Sequence, residues 1–95
     1  MTRSEILDKA KEIVNGQREQ DYGPVENNFQ LIADLWTIYL SKHKGLISAK
    51  DVAVMMCLFK IARIATGVGT MDSYVDLCGY AACGGEISSS KEENK

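Results

Sequence analysis

Four charged side chains lie in the most apolar part of the sequence, and their types suit phosphate or metal binding. Lys60 and Arg63 follow the eight-residue apolar run Val52–Phe59. Asp72 and Asp76 stand four residues apart in the next predicted helix. Burying a charge without a partner is costly, so we expect these groups to meet each other or a ligand. Lysine and arginine bind phosphate oxygens and paired carboxylates bind divalent cations, whereas the alternative is a structural network of ion pairs across a helical hairpin.

The two aspartates supply only part of a magnesium site. Mg²⁺ prefers oxygen ligands, and two carboxylates hold it well only with a substrate phosphate or a further acid. Three spare acids are candidates for that role: Glu26, Asp34 and Asp51. Glu26 is the best placed if the second helix begins beside the tip of the hairpin. The predicted metal ligands are therefore Asp72, Asp76 and Glu26.

Aromatic and amide side chains near a loop–helix junction predict a place for a planar group such as a base. Tyr22 precedes the second predicted helix, and Asn27 lies in its first turn. The ring can stack on a base, and the amide can hydrogen-bond to its edge. Arg18, in the same polar connection, is a further phosphate ligand. Tyr80 shares a helix face with the two aspartates, because residues four apart differ by about 40°.

Four helices are predicted to position these groups. Apolar residues recur at helical spacing from Thr2 to Val14 and from Val25 to Ser41. A third helix follows Ser48, is apolar on nearly all sides and breaks at residues 66–69. The fourth helix begins near Asp72 and is rich in small residues, which allow helices to approach closely.

Two of these helix starts carry the signal of a capping box. Thr2 and Glu5 stand three residues apart, as do Ser48 and Asp51. In each pair the hydroxyl and the carboxylate are expected to accept hydrogen bonds from each other's backbone N–H groups. The second pair is the less ideal one, because aspartate is shorter than glutamate.

The 95-residue chain shows no strand-like alternation and no internal repeat. It is therefore predicted to be all-α, a compact four-helix bundle in one domain over residues 1–87. The polar residues 88–95 are expected to form a disordered tail. The third helix carries more apolar surface than a four-helix monomer of this size can cover. We therefore expect a homo-oligomer formed through the third and fourth helices.

Composition restricts the classes of function. The net charge of −2 at pH 7 disfavours bulk binding to nucleic acid. Three cysteines without a CxxC pair, with a single histidine, disfavour a zinc site and are typical of reduced thiols in a cytoplasmic protein. No apolar run reaches the roughly 20 residues that a membrane span needs. The first 15 residues also lack the apolar segment of a signal peptide, so we expect no membrane partner.

Three segments of the sequence resemble one family: YGPVENNFQLIADLW, DVAVMMCLFKIAR and DSYVDLCGYAACGGE. Over about residues 6–87 the chain resembles small phage and prophage proteins that share a domain of unknown function. More distantly it is similar to MazG-like all-α nucleotide pyrophosphohydrolases and to nucleotide-modification-associated domains. That resemblance implies magnesium held against nucleotide phosphates by two acidic pairs, one of them Asp72 and Asp76. The third helix departs from the pattern, because it has two methionines and a phenylalanine where acids are expected.

This departure favours binding over catalysis. We predict an oligomeric phage-type protein that binds a nucleotide or a nucleotide-derived signal through Lys60 and Arg63, and that sequesters a host defence signal in the host cytoplasm. One alternative is a Mg²⁺-dependent, MazG-like nucleoside triphosphate pyrophosphohydrolase, in which the metal bridges the phosphates and activates water. A second alternative is an inhibitor that binds a host protein.

Overall fold

The computed structural model describes residues 1–16, 25–67 and 71–93, which form four helices. These are α1 (Arg3–Asn15), α2 (Val25–Ser41), α3 (Ala49–Thr66) and α4 (Met71–Glu93). No residue in the described ranges belongs to a strand, so the predicted all-α class with four helices is confirmed. Within the same ranges, no helix is long and apolar enough to cross a membrane.

Local sequence sets the starts of α1 and α3. The Thr2 hydroxyl accepts a hydrogen bond from the Glu5 N–H at 3.2 Å, and the Glu5 carboxylate accepts one from the Thr2 N–H at 3.1 Å. Ser48 and Asp51 form the same reciprocal pair at the start of α3. Each box satisfies backbone N–H groups that a helix start leaves without helical partners. Both predicted capping boxes are confirmed.

The central helix is α3, which packs on both α2 and α4. On the α2 side, the Trp36 indole donates a hydrogen bond to the Met55 carbonyl oxygen at 2.8 Å. On the α4 side, a Cβ atom placed on Gly84 would lie 3.2 Å from the Cβ of Ala53. The absence of a side chain at Gly84 therefore lets α3 and α4 come close together.

Alanine substitutions in α4 should separate packing from helix propensity. Gly84→Ala should lower stability, because the new methyl group meets Ala53 and overpacking typically costs about 1–3 kcal/mol. Gly79→Ala is the matched control, since a Cβ there meets nothing within 4 Å. It should gain about 0.5–1 kcal/mol from helix propensity. Urea denaturation at one protein concentration measures both, and a stabilised Gly84→Ala variant would show that the two helices are not in close contact.

The buried core of the described fold is small. Among its apolar side chains only Ile32, Ala53 and Ala62 are buried, and every residue of α1 is exposed. The radius of gyration is 16.1 Å, whereas a compact domain of this length would have about 12.4 Å. The predicted all-α helical bundle is confirmed, but α1 buries none of its apolar residues and the core comes from α2, α3 and α4.

The fourth helix continues beyond its predicted end. A disordered tail was expected from Ser88, but α4 continues to Glu93. The helix continues there because no glycine or proline follows Gly85, and serine, lysine and glutamate do not stop a helix. The division into a domain over residues 1–87 and a tail over residues 88–95 stays a prediction.

Candidate functional site

Of the four charged side chains of the α3–α4 hairpin, Lys60, Arg63 and Asp76 take part in one salt bridge and in contacts with one aromatic ring. Lys60 Nζ lies 2.9 Å from Asp76 Oδ2 and ties α3 to α4. The Phe59 ring lies beside both cations, with its centroid 5.5 Å from Lys60 Nζ and 4.5 Å from Arg63 Cζ. Such cation–π contacts stabilise a positive charge away from water. Lys60 and Asp76 therefore form the kind of ion pair across the hairpin that the structural alternative predicted.

Both predicted phosphate ligands on α3 are held by the protein itself. A phosphate at Lys60 would have to compete with Asp76. Arg63 is only 8% exposed and lies against Phe59. Phe59 was not predicted to belong to this cluster, although its spacing of four residues from Arg63 was a usable signal. A role of Lys60 and Arg63 in ligand binding stays a prediction.

The predicted metal site is not assembled by the residues that the structure describes. Within the described ranges, no group of three His, Cys, Asp or Glu side chains lies close enough to hold a metal ion. Asp72 and Asp76 are exposed near the start of α4. The side chain of Glu26 lies outside the described part, so the set of these three acids stays a prediction.

The loop–helix junction is described only in part. Arg18 and Tyr22 lie outside the described residues, and Asn27 is exposed. Its neighbour Asn28 is buried instead, with Oδ1 3.2 Å from the Thr66 hydroxyl oxygen. The buried amide at the start of α2 is therefore that of Asn28, and its hydrogen bond with Thr66 joins the first turn of α2 to the end of α3.

A buried carboxylate joins the end of α2 to the start of α3. Asp51 is 1% exposed and accepts hydrogen bonds from the Tyr39 hydroxyl at 2.6 Å and from the Ser48 N–H and hydroxyl, each at 2.8 Å. The Tyr39 hydrogen bond, followed by that of the Ser48 backbone, holds the pKa of Asp51 far below its ordinary value. The same bond to Asp51 raises the pKa of Tyr39.

These contacts make Asp51 an ionised structural group. His43 Nε2 lies 3.4 Å from Asp51 Oδ2 and 2.8 Å from the Leu46 carbonyl oxygen. His43 is half-buried against this carboxylate. Because its oxygens already accept several hydrogen bonds, Asp51 is a poor candidate for the third metal ligand.

A groove of about 460 Å³ runs between α2, α3 and α4. It is lined by two tyrosines, one lysine and small or apolar residues: Tyr39, Lys50, Val54, Cys57, Tyr80, Ala81, Gly84, Gly85 and Ser88. Tyr80, predicted as a ligand-binding residue, lies in this wall. A Cβ atom on Gly85 would meet nothing within 4 Å, so the groove is open at that point. Its volume is typical of small-molecule sites, which span about 300–1,000 Å³.

A basic pocket of about 310 Å³ adjoins the groove. It is lined by Ile38, Tyr39, Lys42, His43 and Lys50, so Tyr39 and Lys50 belong to both cavities. Two lysines beside a histidine suit an anion. None of the described residues that line the two cavities is an aspartate or glutamate. No local sequence pattern indicates this pocket, because its lysines come from the end of one helix and the start of the next.

The thiol in the groove is not an activated nucleophile. Cys57 lines the groove wall, and burial raises the pKa of its thiol. A raised pKa keeps the sulfur protonated at neutral pH, and the thiolate is the reactive form. Its Sγ lies 3.7 Å from the Leu77 carbonyl oxygen on α4, which is the contact of a packed thiol.

The fold and these cavities define a small all-α domain with a ligand-sized groove between its helices. The model of a domain of unknown function, DUF6378, matches residues 5–88, and the chain belongs to that family. The Gene 55 protein of Mycobacterium phage L5 is 49% identical over 76 residues, which are 80% of this chain and 47% of that protein. The Gene 55 protein of Mycobacterium phage D29 is 42% identical over 78 residues, which are 82% of this chain and 50% of that protein.

These comparisons confirm the predicted resemblance to phage-encoded domains of unknown function. The chain spans about half the length of the curated relatives it matches. No solved structure matches it. The more distant similarity to MazG-like pyrophosphohydrolases stays a prediction.

Proposed function

We propose that the protein binds a nucleotide or a nucleotide-like small molecule, with its base in the groove and its phosphate in the basic pocket. The observation that carries this proposal is the shared wall: Tyr39 and Lys50 line both cavities. A ligand that joins a planar ring to an anionic group would fill the two cavities together. A nucleotide has this chemistry.

The residues that line the groove and the basic pocket have separate roles. Tyr39 and Tyr80 offer aromatic surface for a base to stack on. Lys50 lines both cavities. Its side chain is 45% exposed and its Nζ lies 3.9 Å from Asp51 Oδ1, so a phosphate would share the ammonium group with that buried carboxylate. Lys42 supplies further positive charge to the pocket, which the His43 ring also lines.

Binding without turnover is the activity that this chemistry favours. Hydrolysis of a nucleotide needs a general base or a metal ion to activate water. The described lining of the groove and the basic pocket includes no carboxylate, and the Cys57 thiol is protonated at neutral pH. Because the relatives are phage proteins, we propose that the protein sequesters a nucleotide-derived host defence signal in the host cytoplasm.

A thermal-denaturation screen tests the proposal. Nucleoside mono-, di- and triphosphates, cyclic nucleotides, free nucleosides and inorganic phosphate are added separately, each with and without Mg²⁺. We expect one nucleotide class to raise Tm, since ligand at 100 times its Kd stabilises the folded state by about 2.7 kcal/mol. Nucleosides and phosphate should shift Tm less, because each fills only one cavity. The absence of a shift with every nucleotide would overturn the proposal.

Pyrophosphate release in the same mixtures separates binding from catalysis. We expect none. Turnover that is lost in Asp76→Ala and retained in Asp8→Ala would replace the binding proposal with the pyrophosphohydrolase alternative. Asp8 is a matched control because it is also an exposed aspartate and is not among the candidate metal ligands.

A further inference from the structure

Two apolar helix faces in the described part of the chain are open to solvent. The α1 face consists of Ile6, Leu7, Ala10, Ile13 and Val14, and its large side chains are 45–69% exposed. The α4 face consists of Met71, Val75, Cys78 and Ala82, all exposed, with Met71 at 73% and Val75 at 60%. Contiguous apolar surface of this kind marks an interface.

The charges at the edges of the two faces are opposite in sign. At 100° per residue, Lys9 and Lys11 lie about 40° outside the α1 face, one on each side. Glu86 and Asp72 lie about 20° and 60° beyond Val75, at one edge of the α4 face. All four charged residues are exposed. The α1 face therefore matches the α4 face better than it matches a second α1 face, which would bring lysines together.

We infer that α1 of each chain packs on α4 of a second copy, so that two chains exchange their first helices in a two-fold dimer. Within one chain α1 buries no residue, so it does not cover its own α4. Reciprocal exchange covers the α1 face and the α4 face of both copies in a single closed arrangement. This interface is independent of the proposed ligand site, because it uses neither the groove nor the basic pocket.

The exposed area agrees with this arrangement. The chain exposes 7099 Å², whereas a folded monomer of its mass would expose about 5,400 Å². The excess of about 1,700 Å² lies within the roughly 1,000–2,500 Å² that each partner buries in an obligate dimer. The small side chains at Cys78 and Ala82 also let a second helix approach the α4 face closely.

Two lysine substitutions test the interface. Ala10 and Ala82 are exposed and lie near the centres of their faces, so Ala10→Lys and Ala82→Lys remove no packing and keep a strong helix former. In light scattering the unmodified protein should have about 21 kDa, twice the chain mass of 10.5 kDa. Each variant should dissociate at least about tenfold more readily.

Ala33→Lys is the matched control, because Ala33 is an exposed alanine of α2 and belongs to neither face. It should leave the dimer intact, and circular dichroism should show unchanged helix content in all three variants. A monomeric unmodified protein at every concentration would overturn the inference. So would an Ala10→Lys or Ala82→Lys dimer as tight as the original.

Cross-linking distinguishes a second copy from the chain's own α4. In an Ala10→Cys variant, a short bismaleimide should join the new thiol to Cys78 of a different molecule and yield a covalent dimer. Adding Cys78→Ser should abolish this product. A cross-link formed within one chain, or a dimer that persists without Cys78, would contradict the exchange of α1. Because the readout is mass, nucleotide binding can fail in its own assay without affecting this result.

Discussion

Asp51→Asn should produce the largest loss of stability among single substitutions in this protein, with Tm lower by on the order of 10 °C. The carboxylate accepts hydrogen bonds from Tyr39 and Ser48 at the contact between α2 and α3. An amide keeps the shape but removes the charge and one acceptor oxygen. At least one of the donors then loses its partner in a buried position, which is the costly outcome for a hydrogen-bonded network.

Asp34→Asn is the matched control for this substitution. Asp34 is exposed, and the Gln30 amide donates a hydrogen bond to it at 2.9 Å on the surface of α2. Its change to asparagine should leave Tm nearly unaltered, as is usual for exposed sites. Equal Tm values for Asp51→Asn and the unmodified protein would show that the Asp51 network does not hold α2 on α3.

Acid titration gives a second readout of the same group. The pKa of Asp51 is lower in the folded than in the unfolded state. Its stabilising contribution is therefore complete above the ordinary aspartate value of about 3.9 and is lost progressively as the pH falls below it. Urea denaturation between pH 7 and pH 2 should show this loss in the unmodified protein and not in Asp51→Asn. Parallel pH profiles in the two proteins would contradict the assignment.

Gly85→Leu should abolish ligand binding while leaving the fold intact. Gly85 lines the groove, and a Cβ atom there meets nothing within 4 Å, so the larger side chain enters the groove rather than a neighbouring helix. Leucine is also a better helix former than glycine. We expect the stability of α4 to be maintained or raised, and nucleotide affinity to fall at least about tenfold because the space for the base is filled.

Gly79→Leu is the control for the groove substitution. Gly79 is exposed, and its Cβ position also meets nothing within 4 Å. It lies on the side of α4 away from the groove, because at 100° per residue it is about 140° from Gly84 and about 120° from Gly85, which both line the groove. The same gain of volume and helix propensity should therefore leave nucleotide affinity unchanged.

Sequence signals that act over three or four residues predicted this structure well. The two capping boxes and the helix starts follow from contacts between near neighbours, such as Thr2 with Glu5. Pairing of the hairpin charges was one of the predicted alternatives, and Lys60 with Asp76 fulfils it. This was accessible because a short turn between two helices limits which charges can meet.

Features that depend on the distance between helices were not predictable in this way. Ser48 and Asp51 indicated a helix cap, but nothing in the sequence marked Tyr39, twelve residues earlier, as the partner that buries the carboxylate. The groove likewise depends on how closely Gly84 lies to Ala53. We therefore propose a site at the side of the hairpin and not at its tip, and Tyr80 is the predicted ligand-binding residue that lines it.

Calorimetric titration is the most direct test of the proposed function. The nucleotide that gives the largest thermal shift is titrated into the unmodified protein, Gly85→Leu and Gly79→Leu. We expect saturable binding to the unmodified protein and to Gly79→Leu, and affinity at least about tenfold weaker in Gly85→Leu. No binding to the unmodified protein, or equal affinity in all three, would contradict a nucleotide site in the groove.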